Sequence, residues 1–193
     1  MAGVMAMTEK EKMIAGECYS AVDPQLLAEL VVTQEILVEY NALPPADRQR
    51  KREIIKSLFG RVADDEVVIN PPFHCDYGKQ ISVGKHFFAN FNFTVLDEAP
   101  VTIGDNCFIG PNVSIYTACH STDPVRRNER VEWARPVTIG DNVWIGGSVT
   151  ILPGVSIGDN VTIGAGSVVV KDIPSNCVAA GNPCKEVKKL KGN

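Results

Sequence analysis

The chain has 193 residues, 45% of them hydrophobic, and 19 basic against 23 acidic side chains leave a net charge of −4. This length suits one substantial domain with room for a small appendage, and the charge offers nothing global to recruit nucleic acid or an anionic membrane. No window approaches the ~20 apolar residues of a membrane span, and Met1 to Lys12 lack the apolar core of a signal peptide, so a cytoplasmic protein is expected.

Residues 1–60 read as an N-terminal extension followed by a helical cap. Met7-Thr8-Glu9-Lys10 has the form of a natural start, with Met1 to Ala6 as an added segment. Asp23-Pro24 is a good N-cap and first-turn pair, and Leu27, Leu30, Val31, Leu37 and Val38 are expected on one helix face. Asn41 and Pro44-Pro45 stop that helix. Ala46 to Phe59 forms a second, highly charged one with Ile54, Ile55, Leu58 and Phe59 as its apolar patch. The pair is expected to cover the end of something larger.

From about Val67 the pattern changes to a period of six. Ile103, Ile109 and Ile115 lie six apart, and after a break the period resumes through Ile139, Ile145, Ile151, Ile157, Ile163 and Val169. Val83, Ala89 and Val95 form a weaker earlier stretch. A period of six fits neither an amphipathic helix nor a hairpin meander; it is the signature of short strands coiling so that one inward residue stacks on the next. Gly-Asp-Asn recurs at 104–106, 140–142 and 158–160, residues that tolerate the tight corners such a coil requires. The fold expected for residues 61–184 is therefore mainly β, a parallel β-helix of hexapeptide repeats.

Between Tyr116 and Arg135 the hexads dissolve into a polar, turn-rich insertion, an extruded loop at about 117–135. Loops inserted into a repeat scaffold often carry function. At its edge stands His120, one of three histidines with His74 and His86, and an imidazole can take a proton near neutral pH. Cys119 beside it is a weaker nucleophile candidate, because neighbours in extended chain point oppositely. The six cysteines contain no C-x-x-C pair, which argues for reduced thiols and against a zinc site. Lys185, Lys188, Lys189 and Lys191 give residues 185–193 the character of a basic tail.

Several segments are more specific than the hexads. They are Met13-Ile14-Ala15-Gly16-Glu17, Cys75-Asp76-Tyr77-Gly78, Phe88-Ala89-Asn90-Phe91-Asn92, Thr117-Ala118-Cys119-His120, Asn142-Val143-Trp144-Ile145-Gly146-Gly147 and Ala179-Ala180-Gly181-Asn182-Pro183. With them nearly the whole chain resembles the hexapeptide-repeat acetyltransferases, in the maltose and galactoside O-acetyltransferase branch. The resemblance implies a left-handed coil, a homotrimer with active sites between subunits, and acetyl transfer from acetyl-CoA to a small sugar acceptor without a metal. His120 matches the family's general base. Asp76, Asn90 and Asp97 match the acceptor contacts, with Glu98 beside Asp97 as an alternative to it. Gly147, whose N–H matches the oxyanion donor, belongs with Ala165, Val170, Lys171, Lys185 and Lys188 on the acetyl-CoA side. Trp144 is either a packing residue or a wall of the pantetheine channel.

Asp76 replaces a serine of the galactoside branch, so the maltose-type branch is the more similar. Lys185 and Lys188 replace arginines, which keeps the charge and gives up bidentate phosphate binding. Three other readings use the same scaffold. One is the same base acting on serine, an amino sugar or an antibiotic; another is a zinc-dependent γ-type carbonic anhydrase, which needs three converging histidines. The third is a non-catalytic scaffold, which would have no use for His120 or the loop.

Overall fold

The computed structural model describes residues 6–190; Met1 to Met5 and the tail's Lys191 lie outside that range. Among the described residues three helices precede the coil: α1 (Glu9–Ala15), α2 (Pro24–Ala42) and α3 (Arg48–Leu58). A capping box starts α1. The Thr8 hydroxyl accepts from Glu11 N at 3.2 Å, and the Glu11 carboxylate accepts from Thr8 N at 2.7 Å. Among the described residues no helix is long and apolar enough to cross a membrane.

The rest of the chain winds through three parallel sheets that form the sides of a prism. The first contains Arg61–Val62, Ile81–Val83, Val101–Ile103, Val137–Ile139 and Ser156–Ile157. A second runs from Val68–Ile69 through Phe88–Ala89, Phe108–Ile109, Trp144–Ile145 and Val161–Ile163 to Cys177–Ala180. The third holds Phe73–Cys75, Phe93–Leu96, Ser114–Tyr116, Thr150–Ile151 and Val168–Val169. Inward residues stack in register, Ala89 on Ile109 on Ile145 on Ile163 in the second sheet, all essentially inaccessible. Burying β-branched side chains in continuous columns supplies the main stabilisation, at about 25 cal/mol per Å² of apolar surface.

The corners explain the Gly-Asp-Asn triplets. Asn106, Asn142, Asn160 and Asn176 have φ between +54 and +61°, and the amides of the last three form a ladder, Asn142 to Asn160 at 3.1 Å and Asn160 to Asn176 at 3.0 Å. At Gly140 a Cβ would collide with Asp159 Oδ1 of the next coil, so only glycine lets successive corners approach.

After the opening turn, where Val62 to Ile69 takes 7 residues, the period departs from six at one edge. Register pairs place Cys75, Val95, Ile115, Ile151 and Val169 in one column of the third sheet, and Val83, Ile103, Ile139, Ile157 and Ile173 in the facing column of the first. Crossing the edge between them takes 8 residues from Cys75 to Val83 and from Val95 to Ile103. It takes 24 from Ile115 to Ile139, 6 from Ile151 to Ile157 and only 4 from Val169 to Ile173. The weak upstream periodicity and the long break are thus one phenomenon, extra chain extruded at a single edge.

One expectation fails. Leu27, Val31 and Val38 on α2 are 45%, 54% and 72% exposed, and the buried face is instead Leu26, Thr33, Leu37 and Tyr40. Polar groups choose the face. The open first coil presents unpaired backbone, which Tyr40 Oη meets by donating to Ile69 O at 2.5 Å and Asn41 by bracketing Phe73 N and O at 2.8 and 2.9 Å. Within the basic tail, Lys185–Lys189 is a strand antiparallel to Cys177–Ala180.

Candidate active site

The 24-residue crossing builds a small antiparallel sheet outside the prism. Ala118–His120 leads out, α4 (Pro124–Asn128) turns the tip, and Val131–Ala134 returns with His120 opposite Glu132. On its other side Val131–Ala134 pairs with Tyr19–Ser20 from the N-terminal segment, which puts Tyr19 opposite the same Glu132. His120, Glu132 and Tyr19 therefore stand on one rung and face the same way. Tyr19 Oη donates to Glu132 Oε1 at 2.6 Å, and Glu132 Oε2 lies 3.3 Å from His120 Nδ1. Burial first, then the Glu132 contact, push the Tyr19 phenol far up, so it stays protonated and remains a donor. With Nδ1 turned to the carboxylate, His120 is left with Nε2 for chemistry. The ring opens onto a cavity of about 610 Å³ lined also by Ala21, Leu27, Arg127 and Arg130.

The two 8-residue crossings at the same edge carry the acids. Asp97 is fully buried; its Oδ1 accepts from Asp76 N at 3.1 Å and Tyr77 N at 2.9 Å, and its Oδ2 from Gln80 N at 3.3 Å. Burial raises it to about 6 against the pull of those bonds. Asp97 is thus engaged in holding the preceding crossing, and Glu98 is the acid that meets Asp76. Burial, then hydrogen bonding to Asp76, push Glu98 up to about 9, while burial raises Asp76 as well. Burial of two neighbouring carboxyls favours the neutral form of one of them, which can then donate while the other accepts. Thr117 anchors Glu98: its Oγ1 is 3.1 Å from Glu98 Oε2, accepts from Ala99 N at 3.0 Å and lies 2.8 Å from Leu96 O. Burial first, then the nearby Glu98, Asp76 and Glu132 carboxyls, push the Tyr77 phenol well up.

A single chain does not bring every expected site residue to this edge. Asn90, Gly147 and Ala165 lie at the corner between the second and third sheets, a different edge of the prism. Among the described residues Gly147 N–H has no acceptor, while its carbonyl takes Gly166 N at 2.9 Å. Val170 and Lys171 follow the last strand of the third sheet, on the His120 edge but two coils farther along. Lys185 and Lys188 lie on the final strand opposite Ala180 and Val178. Trp144 points outward, 58% exposed, in register with Phe108 at 53% exposure. Cys119 is half-buried with its thiol raised first by burial, which disfavours the thiolate. His74 is exposed on the third sheet, and His86 Nδ1 contacts Glu66 at 2.7 Å; neither approaches the rung. Among the described residues no three His, Cys, Asp or Glu side chains could hold a metal ion.

Sequence reading missed Tyr19, Thr117 and Glu132. Tyr19 and Glu132 reach His120 through antiparallel pairing of aperiodic segments, and no local pattern announces that register. Thr117 is the first residue after the hexads break, where a buried polar side chain is the only available signal.

Comparison with known proteins gives a consistent result. Residues 12–63 match the maltose acetyltransferase hexapeptide capping motif, residues 136–171 the bacterial transferase hexapeptide (six repeats), and residues 100–118 the hexapeptide repeat of succinyl-transferase. Nodulation protein L of Rhizobium meliloti (strain 1021) is 47% identical over 181 residues, covering 94% of this chain and 98% of that one. A maltose O-acetyltransferase from Clostridium difficile 630 superposes with a TM-score of 0.95 at 48% identity, covering 97% and 100% of the two chains. A galactoside acetyltransferase solved in complex with coenzyme A gives 0.91 at 39% identity, covering 96% and 92%.

Proposed function

This chain belongs to the hexapeptide-repeat acetyltransferases of the maltose/galactoside O-acetyltransferase type, and we propose that it moves the acetyl group of acetyl-CoA onto a sugar hydroxyl with His120 as general base. The observation that carries the reading is the Tyr19–Glu132–His120 rung standing beside the Asp76–Glu98 pair.

The acceptor hydroxyl is a poor nucleophile, and His120 Nε2 takes its proton as the oxygen attacks the thioester carbonyl. A positioned base of this kind contributes about 10²–10⁴-fold. Glu132 fixes the ring through Nδ1 and supports the charge it acquires, while Tyr19 holds Glu132 in place. Asp76 and Glu98, one accepting and one donating, suit two neighbouring hydroxyls of a sugar. The free N–H of Gly147 faces the oxyanion of the tetrahedral intermediate, and thiolate release completes the transfer without an acyl-enzyme. Lys171, Lys185 and Lys188 supply positive charge for the phosphates of CoA, and Trp144 an apolar wall for its pantetheine arm.

The donor residues Gly147 and Ala165 lie on one edge of the prism and His120 on another, so a complete site forms between two copies of the chain. A homotrimer with three shared sites fits this arrangement. The outward aromatic column Phe88–Phe108–Trp144 offers apolar surface for such packing, and the 58% exposure of the His120 side chain leaves it open to a neighbour. Six unpaired cysteines support a reducing, cytoplasmic setting.

The test is CoA-thiol release from acetyl-CoA with glucose, maltose, a β-galactoside, serine and chloramphenicol, wild type beside His120→Ala. A sugar should drive release, and the variant should lose ~10²-fold or more while keeping its melting temperature. A reactive serine or chloramphenicol in place of every sugar would overturn the acceptor, and an unimpaired variant would overturn the base.

A further inference from the structure

Three successive crossings of one edge carry the acids and the base, and buried polar groups lace them together. Asp97, on the second crossing, holds Asp76, Tyr77 and Gln80 of the first through their backbone N–H groups. Thr117 opens the third crossing and reaches back to the second. It follows the strand Ser114–Tyr116 and precedes Ala118–His120, so it stands where the chain leaves the prism for the extruded sheet.

Thr117 is completely buried, two residues past the stacked Ile115, where an apolar side chain would serve packing equally well. Its main chain ties both sides of the joint. The N–H donates to Leu96 O at 3.1 Å, and the carbonyl accepts from Arg135 N, on the returning side of the extruded sheet, at 2.9 Å. Its side chain ties the acid crossing. Oγ1 accepts from Ala99 N at 3.0 Å, and its one proton serves Leu96 O at 2.8 Å or Glu98 Oε2 at 3.1 Å. A hydroxyl so engaged in a sealed position cannot shift without leaving a buried partner unpaired. Leu96, Glu98 and Ala99 are thereby fixed relative to Thr117, and His120 follows within about 10 Å of chain. The ladder that holds the His120 rung begins at the next residue, with Ala118 opposite Ala134.

We propose that Thr117 is a positioning residue: it sets the spacing between the Asp76–Glu98 pair that holds the acceptor and the His120 ring that takes its proton. The proposal rests on the acetyl-transfer reading above and adds to it the residue that joins the two halves of the acceptor site.

The experiment is steady-state kinetics of the full-length protein with acetyl-CoA and the fastest-reacting acceptor among glucose, maltose, a β-galactoside, serine and chloramphenicol. Thr117→Val keeps the shape and removes the hydroxyl. It should lower kcat/KM for the acceptor about tenfold or more and leave KM for acetyl-CoA within about twofold, because Gly147 and Ala165 lie on another edge. Thr117→Ser keeps the hydroxyl and should recover most of the loss. Once Glu98→Ala has removed the carboxyl that Thr117 anchors, Thr117→Val should cost little more, the non-additivity expected of two groups that act together. Thr117→Cys, with a poorer hydrogen-bonding group of similar size, should show the same split in smaller measure and decides the matter if Thr117→Val does not fold. A loss that falls on acetyl-CoA, that Thr117→Ser fails to recover, or that adds in full to that of Glu98→Ala would overturn the proposal, as would a Thr117→Val indistinguishable from wild type. Those outcomes leave the base untouched, which His120→Ala tests by itself. A panel in which no acceptor reacts would overturn the transfer reading, and the proposal with it.

Discussion

At the scale of the residue, the sharpest question is what Glu132 does for His120. Its two oxygens are divided between Tyr19 Oη at 2.6 Å and His120 Nδ1 at 3.3 Å, so it is a positioning residue rather than a group that touches substrate. Glu132→Gln keeps the shape and removes the charge that supports an imidazolium. We expect kcat to fall about tenfold or more, short of the ~10²–10⁴ lost with the base itself, with KM for both substrates little changed. Tyr19→Phe should give a smaller loss in kcat in the same direction, because the carboxylate remains and only its tether goes. Steady-state kinetics with melting temperatures separate this from a structural role: a purely structural Glu132 would cost stability and leave the kcat of the folded fraction intact.

At the scale of the element, the edge where the hexads fail is where the chemistry gathers. The coil itself was legible because one physical demand, an inward β-branched residue on each side of every turn, writes itself into consecutive sequence: Ile139, Ile145 and Ile151 are buried on three successive sheets, and Ile157 stacks on Ile139 one turn later. The rung was not legible, since His120, Glu132 and Tyr19 meet through pairings 12 and 113 residues apart that no period encodes. The face of α2 was misread for a related reason: Val31 and Val38 satisfy a helical pattern, but Tyr40 and Asn41 are drawn to backbone that only the folded coil exposes. The same edge predicts a pH response. Glu98 and Asp97 are both held above their unfolded values, so their neutral forms favour folding. That stabilisation is complete below about pH 4 and is lost as the pH rises through about 6 for Asp97 and about 9 for Glu98. Glu98→Gln removes the larger of the two. Its melting temperature should therefore gain on wild type between pH 5 and pH 9, by ~2–4 °C for each ~1 kcal/mol involved. A difference that stays constant across that range would mean that Glu98 is charged throughout.

At the scale of the whole molecule, the two halves of the proposed chemistry lie on separate edges of the prism. His120 sits where the third sheet passes to the first, and Gly147 where the second passes to the third, on opposite sides of the third sheet. No motion of one rigid prism brings them together, so the roles proposed for His120 and Gly147 require that the base of one copy serve the donor edge of another. This can be measured with two inactive chains, one carrying His120→Ala and the other Gly147→Leu, whose side chain crowds Pro111, against which even a Cβ would lie at 3.2 Å. Co-expressed in equal amounts and assembled at random, a trimer site is intact only when its base comes from the second variant and its donor edge from the first. That combination arises with a probability of one half for each, so about one quarter of wild-type activity should return. Sites built within single chains would return none, because every chain carries one lesion. The quarter also depends on three sites acting independently, and the ratio of variants can be varied to check it. Activity should peak at equal proportions and fall symmetrically on either side, a profile that contamination by wild-type chain cannot imitate.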